Sequence, residues 1–272
     1  MDAKERRTLI EERVIRSGEV SFGELAEVFG VSEMTIRRDI EVLQTDGVLR
    51  RVSGGAISLG GTAFEPSYDL RAGQAVDSKA HIAEEVVSLL RRGETVVLDS
   101  GSTVASVARA IRGRGLGLTV ITPSITVATT LADEPDTQVI LTGGTVRPGE
   151  LSLIGADAER TFARYNCDTF VIGVAGVDAE RGLTEYHPQE ASVKQAAMDA
   201  STRVIVGVDA AKLGRVHLVN IAPLASVTAI VTDGPEDHPT IVAARAGGVE
   251  VVVVPPPAVQ TAGSFQVPGE IA

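Results

Sequence analysis

Two short apolar helices joined by a tight turn, with adjacent arginines on the second, constrain this chain more than any other feature. The segment Ser32–Gly47, SEMTIRRDIEVLQTDG, has helical apolar spacing, and Phe22–Phe29 lies just upstream across Gly30-Val31. In such a pair the second helix enters the DNA major groove. On a helical wheel Ile36, Ile40 and Leu43 share one face and are expected to pack inward, while Met34, Arg38 and Glu41 lie opposite, flanked by Thr35 and Arg37. Recognition helices present their N-terminal residues to base edges, which makes Thr35, Arg37 and Arg38 the candidate DNA contacts. Ser32 is the candidate N-cap. An Arg-Arg pair alone would also suit a plain solvated helix. The residues after the helix decide against that: Val48–Val52 and Ala56–Ser58, around Ser53-Gly54-Gly55, read as a two-stranded wing. Arg50 and Arg51 on that wing suit phosphate or minor-groove contacts. A first helix over Lys4–Arg16 and a capping box at Ser21–Glu24 complete a winged helix-turn-helix over residues 1–58.

The net charge of −11 argues against general affinity for nucleic acid. Residues 1–55 hold nine Lys/Arg and eleven Asp/Glu, a net of −2, and the remaining sixteen and twenty-five give −9. DNA contact must therefore rest on the local cluster of Arg37, Arg38, Arg50 and Arg51. The single Cys167 excludes an intrachain disulfide. The charged start of the chain does not read as a secretory signal, and no apolar run approaches the ~18 residues of a membrane span. A cytoplasmic protein without membrane contact is expected. The four histidines lack metal-ligand spacing, and there is neither a P-loop nor a G-x-S-x-G elbow, so no cofactor or metal is expected.

Residues 59–78 contain Gly60, Gly61, Pro66 and Gly73 and read as a linker. From Lys79 the texture alternates. Strands are expected at Thr95–Asp99, Leu118–Thr122, Gln138–Thr142, Thr169–Val174, Val204–Val208, Ala229–Thr232 and Glu250–Val254, with helices between most of them. That is an α/β domain over 79–254 with a mostly parallel sheet. The tail 255–272, opening on three prolines, is expected to be disordered.

Ligands of open parallel sheets bind beyond the carboxyl ends of the strands. Here those ends carry Gly, Ser, Thr, Asp and Lys, the chemistry of a polyhydroxylated anion. In Asp99-Ser-Gly101-Ser102-Thr103, Gly101 allows close backbone approach, and Ser102 and Thr103 open a helix whose N-terminus favours an anion. Ser102 as a mere N-cap explains that loop equally well. Thr122 and Ser124 open the next helix in the same manner. Gly143 and Gly144 line the pocket or make a turn. Lys212 pairs with a phosphate or with Asp209. Glu185, Glu190 and Lys194 are weaker candidates, and a solvated face is the plainer reading of them.

Leu25-Ala-Glu-Val-Phe-Gly-Val-Ser-Glu-Met-Thr-Ile-Arg-Arg-Asp39, continued by Leu43, Gly47 and Leu49-Arg-Arg-Val-Ser-Gly-Gly-Ala56, closely resembles the signature of DeoR-type bacterial transcriptional regulators. The likeness extends weakly to about Asp233. It implies a C-terminal domain like ribose-5-phosphate isomerase that binds a phosphorylated sugar or polyol as inducer, and it places Asp209-x-x-Lys212 in the effector pocket. Ser53 departs from the family's frequent His, and Pro123 stands where Asn is common; proline removes an amide side chain and a backbone donor. The expectation is a repressor of a sugar or polyol catabolic operon, acting on double-stranded operator DNA and released by a phosphorylated sugar. One small winged helix makes few base contacts, so a homo-oligomer, dimer or tetramer, is expected. The rival is an isomerase carrying a DNA-binding head, with Asp99 or Asp209 as general base.

Overall fold

In the computed structural model the described residues are 1–45, 49–58, 62 and 64–255. The chain opens with α1 (Ala3–Ser17), β1 (Glu19–Ser21), α2 (Phe22–Phe29), α3 (Glu33–Thr45), β2 (Leu49–Val52) and β3 (Gly55–Ser58). Asp2 and Ser21 cap α1 and α2, each accepting from a backbone N–H three residues on. Ile10, Val14, Phe22, Leu25, Ile36, Ile40, Leu43 and Leu49 form one buried cluster, as the wheel requires. Burying a side chain such as Phe22 contributes about 1.5–3 kcal/mol. The wing differs from expectation in two ways. Strand β1 adds to it, giving the order β1-β3-β2. Gly55 lies in β3 rather than in the turn, and a Cβ there would sit 1.8 Å from the Val20 carbonyl oxygen. Only glycine permits that approach of β1. Gly47 and Val48 lie outside the described residues.

The segment expected as a linker holds α4 (Tyr68–Gly73) and the first turn of α5 (Val76–Ser88). Ser67 caps α4. Leu59, Gly60 and Gly61 of that segment lie outside the described residues, as do residues 256–272 of the tail.

The larger unit continues through β4 (Thr95–Leu98), α6 (Ser102–Ile111), β5 (Thr119–Thr122), α7 (Ile125–Leu131), β6 (Gln138–Leu141), β7 (Thr145–Val146), β8 (Leu153–Ile154), α8 (Ala156–Phe162), β9 (Cys167–Ile172), β10 (Gly176–Asp178), β11 (Gly182–Glu185), α9 (Pro188–Asp199), β12 (Ser201–Val208), β13 (Val219–Ala222), β14 (Ala229–Thr232), α10 (Pro239–Ala246) and β15 (Glu250–Val253). Seven strands make one parallel sheet in the order β15-β14-β12-β9-β4-β5-β6. Alternate residues feed its two faces. Val97, Ile121, Phe170 and Val206 join Phe162, Ala191 and Ile241 on one side. Val96, Leu98, Val120 and Ile205 join Ile82, Val107 and Leu131 on the other. Strands β5 and β6 extend the sheet to one side of β4, and β9, β12, β14 and β15 extend it to the other. The chain thus reverses its winding between β4 and β9, which leaves a crevice at their carboxyl ends.

Candidate DNA-reading helix and effector site

Helix α3 is fixed from both flanks. Asp39 is buried and accepts from Arg6 Nε at 2.6 Å, tying α3 to α1. Ser32 Oγ accepts from Thr35 N at 3.2 Å and lies 2.9 Å from Thr35 Oγ1, so both hydroxyls serve the cap. The four arginines separate into two kinds. Arg37 lies 3.4 Å from Glu33 and stacks over the Phe22 ring at 4.1 Å. Arg51 pairs with Glu41 at 2.6 Å. Arg38 and Arg50 are exposed, and neither side chain has a partner among the described residues. Among the described residues nothing neutralises their guanidinium groups.

The crevice between β4 and β9 holds a small cavity of about 20 Å³, room for little more than a water. Gly101, Ser102 and Thr103 line one wall. Gly101 is the N-cap of α6 at φ 98°, so it offers no side chain to the first turn, whose N–H groups stay available. Thr103 is 4% exposed, and its Oγ1 has no hydrogen-bond partner. Such an orphan is costly unless a ligand or water satisfies it. Lys212 donates to the Val174 carbonyl at 2.9 Å. Burial pushes its ammonium down, opposed by Asp209.

Behind this wall Lys194 donates to Asp99 Oδ2 and, at 2.8 Å, to the Gly173 carbonyl; Glu185 lies 3.4 Å away. Burial pushes the Asp99 carboxyl up, and Lys194 opposes it. Burial also works against the Lys194 ammonium, yet Asp99, Glu185 and Glu190 together raise it above its ordinary value. The opposite wall carries Glu65, Arg71, Glu150 and Glu190, and Arg147 reaches Glu65 and Glu190 from the adjoining groove. Arg71 pairs with Glu65 at 3.3 Å and with Glu150; Arg147 pairs with Glu65 and, at 3.1 Å, with Glu190. Burial pushes the Glu190 carboxyl up, but Lys194, Arg147 and Ser152 outweigh it and hold it low.

Against known proteins, residues 6–61 match the DeoR-like helix-turn-helix domain and residues 74–234 the DeoR C-terminal sensor domain. The chain is 35% identical to the HTH-type transcriptional regulator GlpR of Haloferax volcanii, over 91% of this chain and 96% of that one. It is 33% identical to the glycerol-3-phosphate regulon repressor of Escherichia coli K12, over 86% and 92%. This chain belongs to the DeoR family of transcriptional regulators. Ribose 5-phosphate isomerase A of Methanocaldococcus jannaschii superposes with a TM-score of 0.38 at 18% identity, over 52% of this chain and 55% of that one. So partial an overlap carries no argument. Whole-length likeness is to regulators, and the chain is read as a regulator and not as an enzyme. Asp99, one of the two candidate general bases of the isomerase reading beside Asp209, is committed to Lys194 and to the Gly173 N–H at 3.1 Å.

The structure of this DeoR-family chain brings only some of the expected pocket residues together. Gly101, Ser102, Thr103 and Lys212 line the cavity, with Asp99 behind them. Ser102 is the first residue inside α6, not its cap, and its hydroxyl donates to the Arg71 carbonyl at 3.4 Å. Thr122 and Ser124 are buried away from the cavity. Their oxygens accept from Ser124 N at 3.0 Å and Val127 N at 3.2 Å. The loop before β8 covers that strand end, with Leu153 N donating to the Pro123 carbonyl at 2.7 Å. Gly143 lies in a separate groove beside Asp157. A Cβ on Gly144 would meet the Ile154 carbonyl oxygen at 2.7 Å, so backbone packing sets that residue. Asp209 faces a wider neighbouring cleft of about 490 Å³ that shares Lys212 and Arg71 with the cavity.

Sequence reasoning undervalued Glu185, Glu190 and Lys194, which are buried rather than a solvated face. It missed Glu65, Arg71, Arg147 and Glu150 altogether. Glu65 and Arg71 sit in the expected linker, whose capped helix at Ser67–Gly73 was the available signal.

Proposed function

We propose that this regulator is a repressor of a sugar or polyol catabolic operon, released when a phosphorylated sugar or polyol occupies the crevice between β4 and β9. The observation that carries the reading is the first turn of α6, where a bare glycine cap, free backbone donors and the orphaned Thr103 hydroxyl converge on one cavity beside Lys212. Gly101, Ser102, Thr103 and Lys212 would hold the phosphate, and Asp99 would act through Lys194. The name of the Escherichia coli relative, which concerns glycerol-3-phosphate, supports the effector class. On the DNA side Arg38 and Arg50 would carry the direct contacts, Arg37 and Arg51 would help once released from Glu33 and Glu41, and Ser32 and Thr35 would hold the helix start. The assignment divides the chain into a DNA-binding unit over 1–58 and a sensor over 79–254. It also takes the protein to work in the cytoplasm as a dimer or tetramer on a two-fold operator. The test is a gel shift on the promoter adjoining the gene, with a panel of sugar and polyol phosphates and their unphosphorylated forms. At least one phosphate ester should release the DNA, and its parent alcohol should do so far more weakly. Release by the parent alcohols alone, or by no compound, would overturn the reading.

A further inference from the structure

The ionic wall of the cavity joins the connecting segment to the sensor. Phe64 packs on the cluster of the winged helix. The next residue, Glu65, turns into the sensor cavity, where both its oxygens face Arg147 and Oε1 also lies 3.3 Å from Arg71. Ser67 then returns to the first unit, donating from N and Oγ to Glu11 of α1, each at 3.1 Å. Asp69 pairs with Lys4 of the same helix at 2.8 Å. Arg71 itself is held from below, since its carbonyl accepts from Lys79 and Ser102. One carboxylate from the connecting segment therefore occupies two converging guanidinium groups. Such a fork matches the oxygens of a phosphate or carboxylate equally well.

The charge balance points the same way. In and around the cavity stand five carboxyl groups, on Asp99, Glu65, Glu150, Glu185 and Glu190, against four basic groups, on Arg71, Arg147, Lys194 and Lys212. An anion entering this arrangement meets more carboxyl groups than basic ones in a buried site. Without Glu65 the tally is four against four. The free volume of about 20 Å³ also excludes a sugar until something on the wall moves. Glu65 is the one wall carboxylate carried by the connecting segment; Glu150, Glu185 and Glu190 belong to the sensor itself.

We infer that the Arg71–Arg147 pair, which meets at Glu65 where the cavity borders the adjoining groove, is a second anion subsite of the effector site, for a phosphate or carboxylate group, and that Glu65 fills it when no effector is bound. The inference rests on the crevice being the effector site. An arriving anion displaces Glu65, and the displaced segment shifts Phe64 and Ser67, which hold α1 and the winged-helix core. Occupancy of the cavity is in this way transmitted to the DNA-binding unit through the four-residue stretch from Phe64 to Ser67.

The test uses the full-length protein and inorganic phosphate, titrated calorimetrically at constant ionic strength. Glu65→Gln removes the internal competitor and should bind phosphate about tenfold more tightly than the wild type. Adding Arg147→Gln to Glu65→Gln should abolish that gain. Equal affinity of wild type and Glu65→Gln, or a gain that survives loss of Arg147, overturns the subsite. If Glu65→Gln has no effect while Ser102→Asp abolishes phosphate binding, the cavity assignment stands and the subsite falls. If Glu65→Gln binds tightly but Ser102→Asp leaves effector release unchanged, the subsite stands and the placement of the effector at α6 falls. Should Glu65→Gln fail to fold, hydrogen exchange of the wild type decides instead. Amides over residues 64–71 should exchange about threefold faster with millimolar phosphate than with matched chloride, as expected of a locally released segment. Unchanged or slower exchange there contradicts the inference.

Discussion

Helix α3 with its wing and the cavity proposed for the effector differ in where they keep their charges. On α3 and the wing, Arg38 and Arg50 are exposed and without partners among the described residues, and burial falls to Ile36, Asp39 and Ile40 behind them. In the cavity the charges themselves are buried or half-buried, and each is balanced by a neighbour from a distant part of the chain: buried Lys194 by Asp99, half-buried Arg147 by Glu65 and Arg71 by Glu150. A surface charge can change without cost to the fold. A buried one cannot, because its partner is left uncompensated in a poorly solvating interior. The two proposed sites should therefore respond in opposite ways to mutation.

The largest expected effect lies in the cavity. Lys194→Met leaves Asp99, Glu185 and Glu190 buried without their shared cation and should cost about 3–5 kcal/mol of stability, read as a lower urea midpoint. A loss below about 1 kcal/mol would mean that the cluster is hydrated and the contrast with α3 is false. Arg38→Ala should reverse the pattern. Stability should stay within about 0.5 kcal/mol, while operator affinity should fall by about 1–3 kcal/mol per half-site. Arg37→Ala sharpens the comparison within α3. Its stacking on Phe22 should cost about 0.5–1 kcal/mol of stability, and its effect on DNA should be smaller than that of Arg38→Ala in the same gel shift. Equal effects on DNA would show that Arg37 leaves Phe22 to reach the duplex. Smallest on the DNA side is Ser32→Ala, which should destabilise the first unit by about 1 kcal/mol through loss of the cap, with operator binding recovered at lower temperature.

The same contrast explains what the sequence made legible. The seven strands of the parallel sheet were readable because each is a short Val/Ile-rich run bounded by turn residues. The three helices of the first unit followed from apolar spacing and from Ser21 and Ser32. Strand β1 was not readable, since Glu19-Val20-Ser21 is too short for a periodicity and exists only through pairing with β3. In the cavity the loop after β4 was recognisable because Gly101, Ser102 and Thr103 are contiguous. Arg71 and Glu150, or Glu65 and Arg147, lie 79 and 82 residues apart, and no local pattern announces such a pairing. Thr122 and Ser124 misled for the complementary reason. Their residue types suit a phosphate loop, but a segment some thirty residues later, ending at Ser152 and Leu153, covers that strand end.

The central claim is that an anion seated at the first turn of α6 weakens DNA binding, and by linkage that DNA weakens the anion's binding by the same factor. The most direct measurement is titration of the releasing phosphate ester into the protein–operator complex, followed by fluorescence anisotropy, for wild type and Ser102→Asp. The account predicts normal operator affinity in both proteins. The wild type should release DNA on titration, and Ser102→Asp should not, because its carboxylate repels the phosphate from the α6 N-terminus. Release of Ser102→Asp at the wild-type effector concentration would place the phosphate elsewhere and contradict the account.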